Sequence, residues 1–158
     1  MTSRLATAED APRLTALINA AYRDAESHFI SGDRIGEREV HERLAAGGFL
    51  LIDGTDGSPQ ACIFFRVDAS RGYLGLLAVD AALQKQGIGG ELLDEAEDYC
   101  AARGCVAIDI EVVNLRTELL PRYEARGFRR TGTAGFDDAR LTQAAHFVTM
   151  SKNLRPRR

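Results

Sequence analysis

The amino-acid sequence predicts an α/β (α+β) fold: a mixed, mostly antiparallel seven-stranded sheet flanked by about four helices. Three observations predict it. Apolar runs at residues 49–52, 60–67 and 73–79 are separated by turn formers and read as an antiparallel meander. Between residues 73 and 113 a strand, a glycine-rich loop, a helix and another strand follow in order, which implies a parallel pair with a right-handed crossover. Two strands at 128–136 and 144–152 close the sheet.

Each element has a local reason. Residues 3–7 form a short strand, and Thr7 with the acids Glu9 and Asp10 then opens a helix, with Pro12 still in its first turn. Leu14, Leu17, Ile18, Ala21 and Tyr22 recur at helical spacing on one face. The pattern is lost over residues 23–36, which reads as a loop, and residues 37–46 form a second helix ended by Gly47 and Gly48. Residues 53–59, rich in Gly, Asp and Ser, link the first two strands of the meander, and Arg71 and Gly72 turn the chain into the third. The helix after the glycine loop spans residues 91–103, with Leu92, Leu93, Ala96 and Tyr99 inward. In the strand at 106–113, Ile108, Ile110 and Val112 face one way and Asp109 and Glu111 the other. A short helix at 118–126 tolerates Pro121 near its start.

Composition bounds the function. At 158 residues the chain reads as one domain over residues 1–158. Its 45% apolar and 27% charged content is that of a soluble globular protein able to bury a core without a disulfide or metal. The net charge of −3 does not favour nucleic acid or an anionic membrane, and Arg155, Pro156, Arg157 and Arg158 read as a solvated tail. No stretch approaches the ~20 apolar residues of a membrane span, and the N-terminus has no signal-peptide core. Cys62, Cys100 and Cys105 lack metal or redox spacing and read as buried reduced thiols, which fits a cytoplasmic location. His28, His41 and His146 have no ligand spacing, so no metal is expected.

The chemistry concentrates at Gln84-Lys85-Gln86-Gly87-Ile88-Gly89-Gly90, between the strand at 73–79 and the following helix. A glycine loop that opens a helix points free backbone N–H groups at an anion, and the helix dipole adds to the attraction. A phosphorylated cofactor is expected here. The run lacks the Gly-Lys-Ser/Thr ending of a P-loop. It also lacks the third glycine of a dinucleotide fingerprint, because Leu92 stands there.

Following Leu77-Ala78-Val79-Asp80, this run resembles the acetyl-CoA loop of the GNAT N-acetyltransferases. Tyr123-Glu124-Ala125-Arg126-Gly127-Phe128 resembles that family's Tyr-Glu-x-x-Gly-Phe segment, and residues 147–152 resemble its last strand. The resemblance covers nearly the whole chain and implies the acyl-CoA N-acyltransferase fold. It further implies acetyl-CoA as co-substrate, no metal, and transfer to a primary amine by direct attack in a ternary complex. The amine could belong to a small molecule, a peptide or a protein, and the acidic net charge leans mildly towards cationic acceptors such as polyamines or aminoglycosides. A homodimer through Phe136 and Phe147 is equally well replaced by core packing of those rings.

By the same resemblance, the strands at 73–79 and 106–113 splay to admit the pantetheine as a pseudo-strand. Leu77, Ala78 and Val79 then offer backbone groups, and Gln84, Lys85, Gln86, Gly87, Ile88, Gly89 and Gly90 hold the pyrophosphate. Tyr123 matches the family's proton donor to the departing thiolate. Glu111 stands where some members carry a base acting through water, as a partly buried carboxylate whose pKa burial would raise. Asp109 shares its face. Glu26, Ser27 and His28, read as loop residues, are candidates for acceptor binding or simply solvated. Where the family often has an asparagine that contacts the cofactor, this chain has Arg116, with Asn114 nearby; either could take the contact, and Arg116 could instead pair with Glu118. The alternative reading is a CoA-binding sensor or interaction module of the same fold without turnover.

Overall fold

The computed structural model describes residues 3–155, so Pro156, Arg157 and Arg158 of the basic tail lie outside the described residues. Its elements are β1 (Arg4–Leu5), α1 (Ala11–Glu26), α2 (Glu37–Ala46), β2 (Gly48–Asp53), β3 (Pro59–Asp68), β4 (Arg71–Val79), α3 (Ile88–Ala102), β5 (Ala107–Val113), α4 (Leu119–Ala125), β6 (Arg129–Gly135) and β7 (His146–Asn153). The strands form one seven-stranded sheet in the order β1-β2-β3-β4-β5-β7-β6. Every neighbouring pair is antiparallel except β4–β5, the crossover pair.

Helices cover both faces. On one, Leu14 and Ile18 of α1 and Val40 of α2 pack on Phe49, Leu51, Cys62 and Phe64. On the other, Leu92, Leu93 and Ala96 of α3 and Leu120 of α4 pack on Leu50, Ile63, Leu74, Ile108 and Ile110. The side chains of β2 therefore alternate between two dry faces, which is why its sequence is an uninterrupted apolar run.

Several boundaries shift from the sequence reading, and four of the differences have a clear local cause. A 3-10 turn (Ala8–Asp10) precedes α1, and the Asp10 carboxylate accepts the Thr7 N–H at 2.7 Å. Helix α1 runs on to Glu26, because the lost apolar period reflects an ionic partner for that residue rather than a loop. Arg71 and Gly72 belong to β4, the turn falling instead at Ala69, whose φ is 52°. Helix α3 begins at Ile88, so Gly89 and Gly90 are its first turn and not part of the loop.

The feature that positions the site is the parting of β4 from β5. They pair only at Arg71↔Ala107, Gly72↔Ile108 and Tyr73↔Asp109. Beyond that apex, β4 stays with β3 and β5 stays with β7 through Val113↔Phe147. A bulge in β4 sharpens the divergence: Leu76 has φ 50°, and the β3–β4 register slips between Cys62 and Phe64. The bulge also switches faces, so that Leu74 and Leu77 both pack on the α3 side while Leu76 and Ala78 pack on the α1 side. At the apex the strands approach so closely that a Cβ on Gly72 would lie 2.8 Å from Ile108 Cδ1 and 2.9 Å from Cys100 Sγ. The Arg71 guanidinium donates to both oxygens of Asp109, at 2.8 and 2.6 Å, and Ser151 Oγ donates to the same carboxylate.

Candidate active site

A cavity of about 560 Å³ lies between the free end of β4, the first turn of α3, α4 and the end of α1. It gathers Leu77, Ala78, Val79, Gln84, Lys85, Gly87, Ile88, Gly89, Gly90 and Arg116 with Tyr123. Gln86 and Asn114 do not line it. Gln86 is exposed, and the Asn114 Oδ1 instead accepts the His146 N–H at 2.8 Å, closing the β5–β7 connection.

The loop geometry explains the glycines. Gly87 has φ +83°, a left-handed conformation that admits glycine without strain, and it precedes the helix directly. The first intrahelical bond is Glu91 N–H to Gly87 O at 3.0 Å, so the amides of Ile88, Gly89 and Gly90 have no acceptor within the helix. A Cβ on Gly89 would reach 3.7 Å from the Val79 side chain and narrow the groove. Gln84 Nε2 donates to Val79 O at 3.2 Å and ties the loop to the strand end. Lys85 and Arg122 add positive charge to the same walls. Free amides, a helix N-terminus and two cations suit a diphosphate.

A second cavity of about 510 Å³ passes through the gap between β4 and β5 to the α1–α2 side. The two cavities share Tyr22, Leu77, Arg116, Leu119 and Tyr123, which places Tyr123 at their junction. Its ring is half-buried and meets Phe128 edge-on at 5.6 Å. Burial raises the Tyr123 phenol pKa, with Arg116 and Arg126 opposing, so the hydroxyl keeps its proton. Tyr22 beside it is raised by burial as well.

The candidate carboxylates divide. Glu111 faces the second cavity from β5 but is exposed, not partly buried as the sequence suggested, because no helix covers that stretch of the strand. Asp109 lines neither cavity; Arg71 and Ser151 hold it at the apex, and the guanidinium lowers its pKa. Glu26 is neither in a loop nor solvated. It ends α1 at 4% exposure, with Arg34 Nε at 3.3 Å and Arg116 Nη1 at 3.2 Å, and burial raises its pKa. Ser27 and His28 are exposed and line neither large cavity. Arg116 bridges Glu26 and Glu118, the latter at 2.7 Å, while its side chain borders both cavities.

Sequence reasoning missed part of the second cavity. Arg34, Arg43, Arg66 and Tyr73 line it from a loop, α2, β3 and β4. No short motif joins them. The Leu76 bulge did leave a signal, since Gly75 interrupts an otherwise apolar strand. The α1–α2 and β6–β7 connections join beside it: Ile30 bridges Leu141, Thr142 N–H donates to Phe29 O at 2.9 Å, and Phe136 stacks at 4.5 Å on Phe147, which borders the cavity. Among the described residues, no group of three or more His, Cys, Asp or Glu is placed to hold a metal ion. All three cysteines are buried and line neither cavity, and burial pushes the Cys62 and Cys100 thiols up to about 12. No helix among the described residues is long and apolar enough to cross a membrane.

Comparison with known proteins gives this arrangement a family. N-alpha-acetyltransferase 30 of Saccharomyces cerevisiae is 30% identical over 90 residues, 52% of this chain and 51% of that protein. The chain thus spans about half the length of this curated relative, and less of two others. Among solved structures, the ribosomal-protein-S18-alanine N-acetyltransferase from Escherichia coli superposes with a TM-score of 0.77 at 18% identity, covering 96% of this chain and 92% of that one. The PaiA N-acetyltransferase from Thermoplasma acidophilum in complex with coenzyme A gives 0.76 at 16% identity, covering 98% and 100%. At such identities the structures share the fold. The model of the acetyltransferase (GNAT) family matches residues 12–128, which take in every element that lines the two cavities except β7. The chain belongs to the acetyltransferase (GNAT) family.

Proposed function

We propose that this chain is an acetyl-CoA-dependent N-acetyltransferase, acting as one domain over residues 1–158 and moving an acetyl group to a primary amine by direct attack in a ternary complex. One observation carries the reading: the open amides of α3, the parted end of β4 and the Tyr123 hydroxyl border a single cavity, which continues into a second one faced by Glu111. Bound acetyl-CoA supplies an acyl group already activated as a thioester. The rest falls to the chain. The amides of Ile88, Gly89 and Gly90, with Lys85 and Arg122, take the diphosphate, and Leu77, Ala78 and Val79 present an unpaired strand edge to the amide-bearing arm. Tyr123, kept protonated by burial, donates to the leaving thiolate. Glu111 takes the proton from the incoming ammonium, directly or through water. Neither lining contains a cysteine, which supports transfer without an acetyl-cysteine intermediate.

A thermal-shift comparison of acetyl-CoA, ATP and NAD, followed by a free-thiol assay with an amine panel, tests this. Stabilisation by acetyl-CoA alone and thiol release that requires an amine are expected. No response to acetyl-CoA would sink the reading. Stabilisation with no turnover on any amine would leave a CoA-binding sensor of the same fold.

A further inference from the structure

The second cavity contains an unbalanced pair of charges. Most of its ionic side chains are already engaged: Arg34 and Arg116 with Glu26, Arg66 with Asp68 at 2.8 Å, and Glu42 with Arg38 at 3.5 Å. Two are not. Among the described residues, Arg43 has no carboxylate within ion-pair distance and Glu111 has no cation. Arg43 is half-buried on α2, its guanidinium 5.0 Å from the centre of the Phe64 ring, which in turn meets Tyr73 edge-on at 6.2 Å. That aromatic shelf orients the planar fork, which donates to the Tyr73 phenol oxygen and keeps its remaining N–H groups for a ligand. Glu111 faces the same cavity from β5, and the Tyr73 phenol, raised chiefly by burial, is raised further by Glu111 and lowered by Arg43.

We infer that the acceptor is an amino acid or a close analogue, a small molecule carrying a carboxylate for Arg43 as well as the amine that faces Glu111. This rests on the N-acetyltransferase reading for the fate of the amine. It does not rest on it for recognition of the carboxylate. The chemistry matches: a guanidinium binds a carboxylate through two parallel hydrogen bonds, and an unpaired carboxylate favours an ammonium. A polycationic acceptor would instead meet four guanidinium groups, those of Arg34, Arg43, Arg66 and Arg116, in one cavity of about 510 Å³.

The test uses α- and ω-amino acids, each paired with its carboxamide. Calorimetric titration into CoA-loaded protein reads binding, and the free-thiol assay reads kcat/KM. At least one amino acid should bind about ten-fold or more tighter than its carboxamide, the range expected for a charge-assisted pair. Arg43→Ala should collapse that preference, chiefly through KM in the kinetic assay. An unchanged acetyl-CoA thermal shift verifies its fold, and Arg43→Gln, which keeps a stem on the Phe64 ring, carries the same test if the alanine variant does not fold. Equal or better binding of the carboxamides, no carboxylate binding at all, or a preference untouched in the variants would overturn the inference. Arg43-dependent amino-acid binding without acetylation of any amine would uphold the inference and sink the N-acetyltransferase reading instead.

Discussion

Tyr123 shows how much a single residue owes to its surroundings. Its place in Tyr-Glu-x-x-Gly-Phe singled it out in the sequence, and the proton donation proposed for it rests on burial that raises its pKa. Tyr123→Phe should lower kcat by about 10²-fold, the contribution typical of a positioned acid, while acetyl-CoA still stabilises the variant. Because the phenol is held above the usual tyrosine range near 10, its deprotonation should not limit the rate between about pH 7 and 9; a limb in that range that vanishes in the variant would contradict this assignment. Gly87 is legible for a different reason, since only glycine takes φ +83° cheaply. Gly87→Ala should cost about 1 kcal/mol in chemical denaturation and weaken the acetyl-CoA thermal shift. Arg43, Arg34 and Glu26 were not legible as a set. Each reads as an ordinary charge on or near a helix until three-dimensional packing shows which is ion-paired and which is not.

At the scale of elements, the decisive event is the loss of pairing between β4 and β5. The sequence predicted a parallel pair, and by resemblance its splaying, but not the apex at Tyr73↔Asp109 or the bulge at Leu76 that redirects β4. Gly72→Val should force Ile108 and Cys100 to move and cost about 1–3 kcal/mol as overpacking, read as a lower Tm. The two joined connections have their own fastening. Arg140 pairs with Asp138 at 2.7 Å and donates to the carbonyls of Asp33 and Arg34, joining the β6–β7 connection to the α1–α2 connection. The Arg140 guanidinium holds the Asp138 carboxyl down to about 2. A folded pKa below the unfolded value near 3.9 means that the fastening is intact above about pH 4 and is lost as the pH falls through about 2. Amide exchange at Ser31 and Thr142, corrected for intrinsic rate, should therefore accelerate across that window in the native protein, and the acceleration should disappear in Asp138→Asn.

For the whole molecule, the sheet separates the two larger cores and is shared by both. Truncating either should destabilise both. Leu14→Ala and Leu92→Ala should each cost about 2–5 kcal/mol, and in urea the fluorescence and circular-dichroism transitions should coincide for both variants. Separate transitions would mean that the two faces are distinct folding units and would contradict one domain over residues 1–158. The cavity walls concentrate arginines that the net charge of −3, a sum over the chain, conceals. By itself the sequence determined the order of strands and helices, the two-faced burial of the sheet and the glycine-opened start of α3, because each is written in adjacent residues whose spacing obeys backbone geometry. Only the tertiary structure decided which carboxylates are free, where the strands part and which cavity arginine has no carboxylate beside it, because those outcomes depend on distances between residues far apart in the chain, and burial and Coulomb energy depend on distance in space rather than along the chain.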